Sequence, residues 1–167
     1  MSLNMLLLLG NPELHLKSIS VNREEIDEMN MVVNNLHDTL MAFREKYHAG
    51  RAIAAPQIGI KKRLIYLNIN EPIVLINPKI KNKSTGMIEV WDDCLCFPEL
   101  LVKVLRHKTC TIQFFDMKFQ EHEWNIKDDL SELLQHEYDH LDGILATQKA
   151  IDEKSFKHRP NIYNRLR

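Results

Sequence analysis

Cysteine is scarce in this chain, and its number is odd: Cys94, Cys96 and Cys110 are the only three in 167 residues. A chain this long folds without covalent staples, so they read as thiols kept in a reducing compartment, the cytoplasm, rather than as a disulfide framework. Glycine (5) and proline (6) are sparse as well. No stretch rich in Gly, Ser or Pro divides the sequence and no segment repeats, so a single domain over 1–167 is expected. Neither sign of charge dominates. Lysine plus arginine (22) against aspartate plus glutamate (23) leaves −1 and a pI near 6.7, no footprint for nucleic acid or an anionic membrane. Nor is there a long apolar run. Met5 to Leu9 is far shorter than a bilayer span. Without a basic flank or a small-residue cleavage site, it does not read as a secretory signal either.

What is present is enough to build a core, with 44% hydrophobic and 27% charged residues. From Asn22 onward, Ile26, Met29, Val33, Leu36, Leu40, Phe43 and Tyr47 recur every three or four residues. This spacing predicts a helix, with Asn22 and Glu25 as its capping box and Gly50 just past its end. The period then changes. The runs 64–67, 73–76, 87–91, 101–105 and 109–115 are short and rich in β-branched and aromatic residues, which predicts strands. They follow one another without helix-length patterns between them, so the expected class is α+β with antiparallel sheets. A second helix is predicted from Asp128-Asp129, capped by Asp129 and Glu132, toward Gly143. Leu130, Leu134, Leu141 and Leu145 would share its apolar face, with His136 and His140 on the flank. The tail after Ile151 reads as a short helix or a frayed end.

The chemistry concentrates in Gln135-His136-Glu137-Tyr138-Asp139-His140, which contains H-E-x-x-H. On a helix this puts two imidazoles one turn apart, where both can bind one metal ion, with a glutamate between them to act as a base. A hydrolytic site of this kind needs a third ligand and an open position. Downstream candidates fail: Ala146 stands where a metzincin has its third histidine, and the only later glutamate, Glu153, is close in sequence. The search therefore turns upstream, where Cys94 leads because a thiolate binds divalent transition metals well. Cys94, Cys96 and the two histidines could instead close a four-ligand structural zinc site with no room for water, but that arrangement would need the backbone to turn at Leu95 and is disfavoured. Residues 50–59 are rich in small side chains that let a substrate backbone approach, and Gln57 offers an amide donor for a developing oxyanion.

Taken together, the three segments resemble the motifs of the peptide deformylase family. G-x-G-x-A-A-P-Q is met by Gly50 to Gln57, E-G-C-L-S by Asp92 to Cys96, and Q-H-E-x-D-H by Gln135 to His140; Pro98, Arg106, Leu141 and Gly143 keep the register. The resemblance runs from about Leu6 to Leu145 and implies antiparallel sheets packed around a central helix that carries H-E-x-x-H, with an N-terminal helix. It also implies one divalent ion held by Cys94, His136 and His140: Fe(II) in the cell, with Zn, Ni or Co able to replace it. Glu137 would be the general base, and the Gln57 amide and the Leu95 N–H would hold the oxyanion. The substrates would be N-formylmethionyl peptides on nascent chains, from which formate is released. The peptide would lie beside Gly50, Arg51, Ala52 and Ile53, its methionine in an apolar pocket near Val90 and Leu133, with Asp93 in contact and Asp92 and Arg106 paired in support. A cytoplasmic monomer or homodimer close to the ribosome, without direct nucleic-acid or membrane contact, completes the expectation.

Four positions depart from the pattern: Ala52 for glycine, Asp92 for glutamate, Asp93 for glycine and Cys96 for serine. Asp93 adds a side chain and a negative charge beside a metal ligand, which would narrow the cleft or favour a cationic group. Glu132, one turn before His136, offers a further carboxylate near the pocket, although a capping or solvated role fits it as well. The alternative reading is therefore a catalytically altered relative that binds metal and peptide N-termini.

Overall fold

The computed structural model describes residues 5–159. Helix α1 (Ile26–Tyr47) follows one 3-10 turn, Arg23–Glu25, where the Asn22 N–H donates to Glu25 Oε2 at 2.7 Å, the glutamate half of the expected capping box. Its buried stripe, Met29, Leu36, Leu40 and Phe43, matches the predicted spacing. The helix ends at His48, which takes a left-handed backbone and donates its N–H to Arg44 O at 2.9 Å. At Gly50 the chain doubles back with φ of +113°, so close that a Cβ would come within 3.0 Å of Leu40. Only glycine takes both the backbone and the contact easily.

The strands are β1 (Ala52–Ala54), β2 (Leu64–Asn68), β3 (Pro72–Lys81), β4 (Met87–Asp93), β5 (Leu100–His107), β6 (Thr109–Phe115), β7 (Glu121–Lys127) and β8 (Phe156–His158). They form a five-stranded sheet, β1-β2-β3-β6-β7, and a three-stranded one, β4-β5-β8, with every named pair antiparallel. Strands β1 and β2 of the larger sheet are buried on both faces. Ile53, Leu64, Tyr66 and Ile76 pack under α1, while Ala52, Ala54, Ile65, Leu67 and Leu75 pack against helix α2 (Asp128–Leu141) through Leu133, Leu134 and Leu141. α2 is thus the central element, with the large sheet on one side and β5 on another. Its sequence placed it there through two periodicities meeting: 3.6 along the helix and 2 along β1 and β2.

Several expectations need correction. Asp129 does not cap α2. The helix does start at Asp128, but after Lys127 and with no side-chain cap, and its first-turn acids Asp128 and Asp129 act on the helix dipole instead. Leu145 lies beyond α2 and joins the interior of the smaller sheet with Val102 and Val104. The tail holds a strand, β8, rather than a helix, while residues 160–167 of that expected tail lie outside the described residues. β1, β7 and β8 went unread. β1 and β8 have three residues each, and β7 is an edge strand whose apolar content is Trp124 and Ile126. Among the described residues, no helix is long and apolar enough to cross a membrane.

Candidate metal centre

α2 carries His136 and His140 on successive turns, and their Nε2 atoms lie 3.2 Å apart. β4 ends at Asp93, and the turn that follows brings the Cys94 sulfur to 3.4 Å from His140 Nε2. The three donor atoms all lie within 4.8 Å of one another, and all three side chains are buried. A tetrahedral site with the usual zinc–nitrogen and zinc–sulfur bond lengths has edges of about 3.3 Å between nitrogens and about 3.5 Å between nitrogen and sulfur. The donor set therefore fits one divalent ion in chemistry and in spacing.

His136 is held from behind, whereas His140 Nδ1 is buried with no hydrogen-bond partner among the described residues. His136 Nδ1 lies 2.9 Å from Asp92 Oδ2, which turns Nε2 toward Cys94 and His140. The same oxygen accepts from Arg106 Nη2 at 2.7 Å, while Arg106 Nη1 donates to Asp139 Oδ2 at 2.5 Å. Lys149 closes the row on the other Asp139 oxygen at 2.8 Å. The expected Asp92–Arg106 pair is present; Asp139 and Lys149 were not foreseen, although Asp139 sits inside the third motif. Gln135 ties α2 to the end of β5, accepting from the His107 N–H and donating to the His107 carbonyl, both at 2.9 Å.

Burial alone would raise Asp92, but His136 and Arg106 hold it far below the carboxylate range. Burial would likewise lower His136, yet Asp92 lifts it to about 9. His140 is pushed well down by burial and by its neighbour His136. Burial pushes the Cys94 thiol up, and a buried thiol of this kind gives its proton up to a bound cation. Burial also lifts Glu137 to about 7, and its Oε2 is fully buried with no hydrogen-bond partner among the described residues. A carboxyl poised near neutrality, with an acceptor left over beside three metal donors, is suited to moving a proton.

Gln57 lies on the 3-10 turn Ala55–Ile58. Its Oε1 accepts from the Ala54 N–H at 2.8 Å, which aims the amide nitrogen at Cys94 and Cys96, 3.6 and 3.4 Å away. The backbone does turn after β4, with Phe97 N–H on the Cys94 carbonyl at 3.2 Å, so both sulfurs reach Gln57. Cys96 nevertheless stands outside the group of metal donors.

A cleft opens beside the donors, lined by residues 50–52 and 92–95 with Phe43, Leu133, His136 and Glu137. Ile53 and Val90 do not line it: Ile53 is buried under α1, and Val90 packs into the smaller sheet. Ala52 lies in β1 without a left-handed backbone, so its methyl adds bulk and no strain. Asp93 pairs with Arg159 at 3.1 Å. Glu132 is neither a cap nor solvated; it is buried and bonded to Arg51 at 2.6 Å. Neither partner was found in the sequence, because nothing local signals an ion pair between segments so far apart.

Residues 3–156 match the family model for polypeptide deformylase. The peptide deformylase of Pseudothermotoga lettingae is 33% identical over 161 residues, covering 96% of this chain and 90% of its own. Among solved structures, the Synechococcus elongatus peptide deformylase in complex with actinonin superposes with a TM-score of 0.81 at 29% identity, covering 89% of this chain and 79% of that one. A Met-Ala-Ser-bound class I type b peptide deformylase from Acinetobacter baumannii gives 0.78 at 25% identity, covering 86% and 96%. On fold, donor set and sequence alike, the chain belongs to the peptide deformylase family.

Proposed function

We propose that this protein removes the N-formyl group from the N-terminal methionine of nascent polypeptides, releasing formate and a free amino terminus. The observation that carries the reading is the buried group of Cys94, His136 and His140 with an unpartnered Glu137 oxygen beside it. The two histidines and the cysteine would hold one divalent ion, Fe(II) in the cell, with Zn, Ni or Co able to take its place. When bound, such an ion polarises the formyl carbonyl and activates water at neutral pH. The chain's own residues do the rest. Glu137 takes a proton from the attacking water and later hands it to the leaving amine nitrogen. The Gln57 amide, fixed by Ala54, and the Leu95 N–H donate to the oxygen as it becomes negative. Asp92, backed by Arg106, keeps His136 in one tautomer and orientation. The peptide adds as an extended strand along residues 50–52, and its first side chain enters the cleft beside Leu133. Nascent chains as substrates place the reaction in the cytoplasm, near the ribosome.

The test is formate release from formyl-Met-Ala-Ser by anaerobically prepared protein of known metal content, beside Glu137→Ala. One metal ion per chain and turnover that the variant loses while keeping its metal is the expected result. One metal ion per chain without turnover would overturn the reading and leave a binding protein for peptide N-termini.

A further inference from the structure

The cleft beside the metal donors has two converging walls, the segment leading into β1 and helix α2, and one ion pair joins them. Arg51 Nη2 lies 2.6 Å from Glu132 Oε1; the glutamate side chain keeps 11% of its exposure and the arginine 40%. Arg51 itself lines the cleft, as does Leu133, the neighbour of Glu132. The Glu132 bond engages one guanidinium nitrogen, and no other hydrogen bond to the Arg51 side chain is made among the described residues. The remaining N–H donors are left without a protein partner, on a side chain that borders the cleft together with apolar Phe43 and Leu133.

We infer that the Arg51–Glu132 pair is a specificity-determining element of the side-chain subsite, favouring a first residue with a neutral hydrogen-bond acceptor over a hydrocarbon of the same length. The inference rests on the deformylase reading and refines it. A hydrocarbon side chain pressed against this wall strips water from guanidinium donors and gives nothing back, whereas an amide or thioether supplies an acceptor. Charged side chains gain less. Arg51 faces a cation, while Glu132, Asp93 and Asp129, all of which act on Arg51, face an anion. Methionine, with its weakly accepting sulfur, falls between glutamine and norleucine in this ranking.

The experiment compares formyl-Gln-Ala-Ser with formyl-norleucyl-Ala-Ser by kcat/KM, and the matching deformylated tripeptides by calorimetric Kd on metal-loaded protein. The variant is Arg51→Leu/Glu132→Leu, which removes both charges together so that neither is left buried alone. The expected result is a shift of the glutamine-to-norleucine ratio toward norleucine by about tenfold, the scale on which a mismatched polar wall discriminates. A purely structural role would weaken both peptides alike, and an unchanged ratio overturns the inference. Should the double leucine variant not fold, Arg51→Met/Glu132→Gln is read the same way, with a shift of about threefold expected for its milder change. The Kd ratio needs no turnover. A shifted Kd ratio without formate from either peptide would sink the deformylase reading and keep the specificity element, whereas formate with an unshifted ratio would do the reverse.

Discussion

Replacing Arg106 by methionine would keep much of the volume of its aliphatic stem and remove its guanidinium, leaving two carboxylates facing each other in the interior. Arg106 is 2% exposed, its side chain bonds Asp92 and Asp139, and its Nε has no partner among the described residues, so the whole of its hydrogen bonding goes to those two acids. Lys149 can still neutralise Asp139. Asp92 keeps only His136. Breaking a buried pair by removing one partner costs about 3–5 kcal/mol. A domain of this size shifts its Tm by about 2–4 °C per kcal/mol, so Arg106→Met should melt about 6–20 °C lower. Because Asp92 orients His136, metal affinity should also fall by about 10–100-fold in competition with a chelator. The acid limb gives a third readout. Asp92 titrates well below its unfolded value, so its share of the stability is complete above about pH 4 and fades as pH falls toward the depressed native value. Arg106→Met removes one of the groups holding that value down and should flatten the loss of stability below pH 4. A variant that melts within about 2 °C of the parent and binds metal equally well would refute the reasoning, since the guanidinium would then not support the site.

Gln57→Leu should lower kcat by about 10²–10³-fold with metal content unchanged, as expected for the loss of one oxyanion donor; an unaltered kcat would remove Gln57 from the mechanism. Glu137→Ala should cost about 10²–10⁴-fold while one ion per chain is retained, measured by formate release beside elemental analysis. Gly143→Ala should destabilise the fold strongly by thermal melt, because a Cβ there would lie 2.4 Å from the His15 carbonyl oxygen on a backbone with φ of +72°. Iron-loaded protein should lose activity in air as its thiolate ligand and metal oxidise, and an iron-loaded sample that is fully stable in oxygen would count against iron as the native metal.

The legible parts of the fold are those whose signal is local. The stripe from Ile26 to Tyr47 and the five apolar runs each declare their element through a period that needs no partner. The metal donors were legible for a different reason: H-E-x-x-H fixes its own geometry once a helix is granted, and elimination of downstream ligands pointed to Cys94. β7 stayed hidden because an edge strand with one face in water needs few apolar residues, and Glu121 to Lys127 alternates mostly polar side chains. The Arg51–Glu132 pair joins residues 81 apart, and Asp93–Arg159 likewise joins distant segments, so neither contact exists until β1, β4 and the tail are assembled around α2. Leu145 misled because the helical period was carried past Asp142, where α2 stops.

The positions that depart from the family's motifs have one physical property in common: each polar change meets a partner. Asp92 still reaches both His136 and Arg106, so its shorter stem does not break the row behind the metal donors. Cys96 shares the Gln57 amide with Cys94. Asp93 stands beside a donor, but Arg159 takes up its charge, just as Arg51 takes up that of Glu132 where the two walls meet. Each of the two pairs is therefore neutral as a whole. What these residues change at the cleft is its polarity and width rather than its net charge, and for that reason the consequences belong in the choice of side chain next to the scissile bond and not in the chemistry of breaking it.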